Sequence, residues 1–183
     1  PRSWETCAYI ENDTLAIAHV GDSRAYLLHE GTLIRVTRDH SYVEELVDAG
    51  EITADEARVP PNRSVITRAL GSDPAMYADH FTLHIEEGDR LILCSDGLSS
   101  MIPDSDIENI ATQSSTAQIC VDNLVDAALA AGGHDNVTVV VVDLVDDGVM
   151  REAQRVRRRN ITIAAILALV FVLAAGKIGR AHV

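Results

Sequence analysis

Lysine is almost missing from this 183-residue chain. The only one is Lys177, against 13 arginines before it. It opens the heptapeptide KIGRAHV, residues 177–183, which resembles the translation of a sequencing-adapter oligonucleotide, so these residues are set aside from the functional argument. The chain also lacks an initial Met, and Pro1 leads almost directly into a strand-like stretch, from which a missing natural N-terminus is expected. Cysteine is scarce and odd in number: Cys7, Cys94 and Cys120 have the spacing of neither a zinc site nor a redox pair. Cys94 falls inside an apolar strand and reads as a core residue, so a reducing compartment is expected. Basic residues are few in the body. Residues 1–150 carry eight arginines against 27 acids, a net charge of −19. That balance excludes the basic footprint of a nucleic-acid binder. It fits a domain that gathers divalent cations, and equally an ordinary acidic surface. No convincing nucleophile with an adjacent base is present, and there are no internal repeats or low-complexity tracts.

With 47% hydrophobic residues the chain is long and apolar enough for one domain with a sizeable core. Turn residues punctuate apolar or β-branched runs and predict strands over 4–10, 14–20, 24–29 and 32–37. Ser41-x-x-Glu44 is a capping-box pattern, with Gly50 as a stop, and Thr53-x-x-Glu56 repeats the pattern. Pro60-Pro61-Asn62 breaks the helix, so residues 39–63 read as an excursion suited to a mobile flap. Further strands are predicted over 64–70, 81–85, 90–95 and 137–144, and helices over 104–112 and 116–131. Domain 1–146 ends at Asp146-Asp147-Gly148.

Residues 147–160 form a basic linker, with Arg151, Arg155, Arg157, Arg158 and Arg159. Ile161 to Gly176 is uncharged and almost wholly apolar, shorter than the ~20 residues a spanning helix needs. It reads as an interrupted transmembrane helix. The preceding arginines then place the acidic body on the cytoplasmic side of a single-pass inner or plasma membrane protein.

Three acids stand where strands meet turns. Asp96 follows Leu91-Ile92-Leu93-Cys94-Ser95 and precedes Gly97. Asp135 lies between Gly132-Gly133-His134 and Asn136. Asp22 sits in Val20-Gly21-Asp22-Ser23-Arg24. A carboxylate at the end of an apolar strand is costly to leave dry and unpaired. Taken singly, each reads as a turn or capping residue. Together they indicate an oxygen-ligand centre for Mg²⁺ or Mn²⁺, of the kind that hydrolyses phosphate esters. His40, Arg63 and Arg68 border the flap and are possible substrate contacts, although a capping role for His40 and surface pairing for the arginines are the simpler readings. His134 reads as a loop residue, and His19, His29, His80 and His84 as strand-surface residues.

The segments VGDSRAYLL (20–28), TRDHSYVEELVDAGEIT (37–53), NRSVITRALG (62–71), LILCSDGLS (91–99) and GGHDNVTVVVV (132–142) occur in one order across most of residues 4–144. In that order they resemble the PPM family of metal-dependent Ser/Thr protein phosphatases (protein phosphatase 2C-like), in particular bacterial membrane-anchored members that act opposite Ser/Thr kinases. The resemblance implies an α+β fold, an α-β-β-α four-layer sandwich of two antiparallel sheets, here followed by a transmembrane helix. It implies that Asp96 and Asp135 hold a catalytic pair of Mn²⁺ or Mg²⁺ ions, and that Asp22 serves a third, weaker ion shared with Asp96. Residues 39–63 match the flap. Ser23 and Arg24 are assigned turn and sheet-edge support, and Asn136 the ordering of the loop that aims Asp135. The partners implied are phosphorylated proteins, Ser/Thr kinases among them, and a membrane through the C-terminal helix. The family's phosphate-binding Arg, its N-E-D-like motif and its D-G-M-G-G-like motif are not in this chain, so the chain alone is expected to bind metal weakly and turn over little. Two alternatives remain: a catalytically dead phosphatase-like module that binds a phosphoprotein or regulator, and a phosphatase for an anti-sigma antagonist.

Overall fold

A computed structural model gives the fold of residues 5–53, 56–58, 65–71, 73–145 and 159. Strands β1 (Glu5–Glu11) and β2 (Thr14–Val20) form a hairpin whose register closes at Glu11 opposite Thr14. Asn12 in that turn has φ 54°, which asparagine tolerates. A second hairpin joins β3 (Arg24–His29) to β4 (Thr32–Arg35) through Glu30 and Gly31, both at positive φ, the backbone a two-residue turn with matching twist requires. Helix α1 (Tyr42–Asp48) follows, then a 3₁₀ turn at Glu56–Arg58. Strands β5 (Asp79–His84) and β6 (Arg90–Cys94) precede the single-turn α2 (Asp96–Ser99), then α3 (Asp104–Gln113), α4 (Ala117–Ala130) and β7 (Val139–Asp143).

The strands make two antiparallel sheets, one ordered β1-β2-β5 and the other β4-β3-β6-β7. Period-two alternation assigns each face. Along β3, Ala25 and Leu27 face the three-stranded sheet, and with Leu15, Ile17, Ile85 and Leu91 they form the core between the sheets. Tyr26 and Leu28 face the other way, joining Ile92 and Cys94 of β6 against Ile107, Ala111, Cys120, Leu124 and Ala128 of α3 and α4. Both faces of β3 and β6 are therefore covered. That explains why Leu91-Ile92-Leu93-Cys94 reads as a continuous apolar run rather than an alternation. Burying each large aliphatic side chain here contributes about 1.5–3 kcal/mol.

The two antiparallel sheets with helices match the expected sandwich. Among the described residues the layers are sheet, sheet and helices, with both core clusters so arranged; a fourth, helical layer is not among them. The expected strand over 64–70 is not formed where described: Ile66 makes a single bridge to Ser41. That bridge, with Tyr42 N–H donating to Val65 O at 2.8 Å, ties the start of α1 to the chain at residues 65–66. Helix α1 starts as read, with Ser41 Oγ accepting from Glu44 N–H, but Thr53–Glu56 caps only a 3₁₀ turn.

The single-pass membrane localisation is corrected. Among the described residues no helix is long and apolar enough to cross a membrane. The longest, α4, has 14 residues and spans about 21 Å at 1.5 Å per residue, short of the ~30 Å apolar core of a bilayer. The apolar run 161–176 that prompted the expectation lies outside the described residues, as do most of the basic linker and Arg63.

Candidate functional site

Strand register brings the three acids to one end of the sandwich. Arg24 at the start of β3 pairs with Cys94 at the end of β6, and Cys94 pairs with Val139 at the start of β7. Asp22 stands two residues before that layer, Asp96 two after it, and Asp135 four before it. All three therefore sit on the loops that leave the same edge of adjacent strands.

Asp96 is the first residue of α2, where its charge meets the N-terminal backbone amides. The turn that carries it is fastened to the loop after Asp135 by backbone and side chain. Ser95 N–H donates to Thr138 O at 3.0 Å. Ser95 Oγ accepts from Thr138 N–H at 3.0 Å and donates to Asn136 O at 3.1 Å. Gly97 lies so close to Asn136 O that a Cβ at this position would stand 2.3 Å from it, which explains the glycine. Asn136 N–H donates to Asp135 Oδ1 at 2.7 Å and orders that exposed carboxylate.

Asp22 follows Gly21, whose φ of 114° is one that side chains rarely adopt. Asp22 Oδ1 is buried without a hydrogen-bond partner. Burial, and after it the negative charges of Asp96 and Asp39, push the Asp22 carboxyl up to about 6. A half-buried acid held near a second acid, its buried Oδ1 without a donor among the described residues, has the environment that a cation would satisfy. Carboxylate oxygens suit hard ions such as Mn²⁺ and Mg²⁺. The residues present fit such an ion as part of a ligand set. Among the described residues, no group of three or more His, Cys, Asp or Glu side chains is arranged to hold a metal ion by itself.

His40 is buried rather than presented to substrate. Its backbone N–H donates to Gly21 O at 2.7 Å, and its Nδ1 accepts from Gly21 N–H at 3.0 Å. Its Nε2 lies 3.0 Å from Asp79 Oδ2. Arg68, half-buried, donates to Asp79 Oδ1 at 2.6 Å and lies over the Tyr77 ring. His19, expected on the surface, is 0% exposed and stacks on His40 with ring centroids 4.8 Å apart. Burial, then the neighbouring His40, pulls the His19 imidazole below its ordinary value.

Sequence reading also missed Asp39. Arg24 forks onto both its oxygens, with Nη2 at 2.7 Å, and Arg35 Nη2 reaches Oδ1 at 2.8 Å. The Arg24 guanidinium also donates to Tyr26 Oη and Asp104 Oδ1, tying the Gly21–Ser23 turn to α3. Arg24 thus has the supporting role assigned to it, more deeply than at a sheet edge. Cys94 is core, as read, and burial pushes its thiol up to about 12.

The fold is of the α+β class, an antiparallel double sheet backed by helices, and it carries three acids at one strand end. The protein phosphatase 2C family profile matches residues 3–137, and the chain belongs to that metal-dependent family. It is 38% identical over 136 residues to the serine/threonine phosphatase stp of Listeria monocytogenes, covering 74% of this chain and 54% of that protein. It is 43% identical over 144 residues to the serine/threonine protein phosphatase PstP of Mycobacterium tuberculosis, covering 77% of this chain and 27% of that protein. The chain thus spans about half the length of the first of these relatives and less of the second. The crystal structure of the mycobacterial PstP superposes with a TM-score of 0.72 at 40% identity, over 77% of this chain and 59% of that one. A structure of the PstP catalytic domain in complex with two manganese ions superposes with a TM-score of 0.69 at 39% identity, over 77% and 58%.

Proposed function

We propose that the protein carrying this chain is a metal-dependent protein serine/threonine phosphatase. Residues 1–146 would form the C-terminal portion of its catalytic domain, with 39–63 as the flap. The observation that carries this reading is the placement of Asp22, Asp96 and Asp135 on loops leaving one edge of adjacent strands, in a chain of this family. Asp96 and Asp135 would hold a metal pair, and Asp22 would share a further ion with Asp96. Bound there, Mn²⁺ or Mg²⁺ supplies an activated water and charge neutralisation for a phosphate monoester. Mn²⁺ is favoured because the related PstP domain takes two manganese ions.

The chain's own residues preorganise this end of the sandwich. The Ser95 hydroxyl and the Gly97 contact hold the Asp96 and Asp135 loops together. Asp22 is held half-buried and beside the charge of Asp96, a cost that a bound cation would relieve. Substrates would be phosphoserine and phosphothreonine proteins, with Ser/Thr kinases among them, approached from the flap side. A binding module without turnover is the second reading.

The test is phosphate release by the complete protein from phosphothreonine, phosphoserine and phosphotyrosine peptides, with Mn²⁺, with Mg²⁺ and with a chelator. The expected result is turnover of the first two peptides that stops on chelation. A protein that binds the peptides and releases no phosphate would move the assignment to the binding module.

A further inference from the structure

His40 holds the residue before Asp22 at two points. The backbone N–H of His40 donates to Gly21 O at 2.7 Å, and the ring Nδ1 accepts from Gly21 N–H at 3.0 Å. A ring nitrogen that accepts carries no proton, so the proton of this imidazole is on Nε2, directed at Asp79 Oδ2 3.0 Å away. The far side of the ring is fixed in turn. Arg68 Nη1, 3.0 Å from Nε2, donates to Asp79 Oδ1 at 2.6 Å and sits on the Tyr77 ring. One face is stacked on His19, which is itself held by Thr6 Oγ1 at 2.8 Å and by donation to Arg38 O at 3.0 Å. A carboxylate that sets the tautomer of a histidine, which then orients something else, is a common supporting arrangement around metal centres.

What this histidine orients is the main chain of Gly21. Asp22 Oδ1 has no hydrogen-bond partner, so no donor on that oxygen aims the carboxylate. The backbone hydrogen bond that acts on this carboxyl comes from the amide of Asp22 itself, so its direction follows the backbone, on which Gly21, at φ 114°, is the most conformationally free residue. Without the clamp the 21–23 turn could take other conformations and carry Asp22 away from Asp96.

We propose that His40 is a positioning residue, which by gripping both the N–H and the C=O of Gly21 fixes the direction of the Asp22 carboxylate toward the Asp96 side of the site. This rests on the reading of Asp22 as a ligand for a weaker-bound ion.

Two substitutions separate positioning from plain structural support. His40→Asn places an amide oxygen where Nδ1 stands, two bonds from Cβ, and keeps an acceptor for Gly21 N–H while losing the Asp79 bond. His40→Gln places an amide nitrogen where Nε2 stands and keeps the bond to Asp79 while losing the acceptor for Gly21. The readout is Mn²⁺ binding to the complete protein, followed by the electron paramagnetic resonance signal of free Mn²⁺. The expected result is that His40→Asn keeps the affinity of the weakest site within about twofold, whereas His40→Gln weakens it about tenfold. The reverse order, or equal affinities in the two variants, overturns the proposal.

A measurement on the unsubstituted protein needs no variant to fold. A scalar coupling across the hydrogen bond between the Gly21 amide nitrogen and His40 Nδ1 is expected in a ¹⁵N-labelled sample, and its absence also overturns the proposal. Failure of the phosphatase reading has its own signature: the unsubstituted protein then releases no phosphate from phosphothreonine peptide, whatever the order of the variants in Mn²⁺ binding.

Discussion

Gly97 and Asn136, 39 positions apart in the sequence, lie in backbone contact, with the place of a Gly97 Cβ only 2.3 Å from Asn136 O. This approach joins the loop that carries Asp96 to the loop that carries Asp135. A methyl group has no room there, and the obstacle is backbone that cannot rotate away. Gly97→Ala is therefore expected to cost about 1–3 kcal/mol, the usual range for overpacking, and to lower Mn²⁺ affinity by separating the two loops. Urea unfolding and Mn²⁺ titration of the same variant check both effects. Full stability with unchanged metal binding would show that the contact is slack.

Asp22 gives a pH dependence with a definite sign. Its folded carboxyl is raised from 3.8 to about 6, so the folded state binds this proton more tightly than the unfolded chain does. Between about pH 4 and pH 6 the unfolded state loses the proton first, and stability from this group falls as pH rises through that window. In chelator, Asp22→Asn should match the unsubstituted protein near pH 4 and exceed it by on the order of 1 kcal/mol at pH 7, after allowance for solvent screening of a partly exposed group. Thermal unfolding across pH reads the difference. A variant less stable at pH 7 than its parent would contradict the burial and repulsion assigned to Asp22.

Arg24 and Asp39 form the most buried ion pair near the site, with two parallel donations and a 2.7 Å contact. Removing the guanidinium leaves Asp39 to Arg35 alone. Arg24→Ala is expected to cost about 3 kcal/mol, the lower range for breaking a buried pair. Arg24→Lys should recover less than half of that, because an ammonium cannot fork onto both oxygens. Equilibrium unfolding of the two variants decides it, and equal stability of Lys and Arg at this position would mean the fork geometry is unimportant.

Much of the sandwich was legible in the sequence because its signals are local. Strands β2 and β3 fall where the turn residues Asn12-Asp13, Gly21-Asp22-Ser23 and Glu30-Gly31 delimit them. Helices α3 and α4 follow Pro103 and the cap Thr116. The short α2 was not legible, because Asp96-Gly97-Leu98-Ser99 is a single turn with no apolar period and reads as a loop. Residues 64–70 misled because Val65, Ile66 and Thr67 have strand propensity but, among the described residues, pair only as the isolated Ile66–Ser41 bridge with its flanking backbone bonds to His40 and Tyr42. His19 was misread although the signal was present: it continues the inward positions Leu15 and Ile17 at period two. The Arg24 fork onto Asp39 and the pairings of His40 with Gly21 and Asp79 are long-range and left no local trace, although the Arg35–Asp39 pair is four residues apart.

The proposed phosphatase requires that acids from distant parts of the chain act as one centre. A double-mutant cycle on phosphothreonine-peptide hydrolysis by the complete protein tests it directly, using Asp96→Asn, Asp135→Asn and the pair. Groups that act as a unit are strongly non-additive. Each single substitution is expected to lower turnover at least about 100-fold, and the double variant to be within a few-fold of the poorer single. Retention of more than about a tenth of the activity in either single variant, or losses that multiply in the pair, would contradict it.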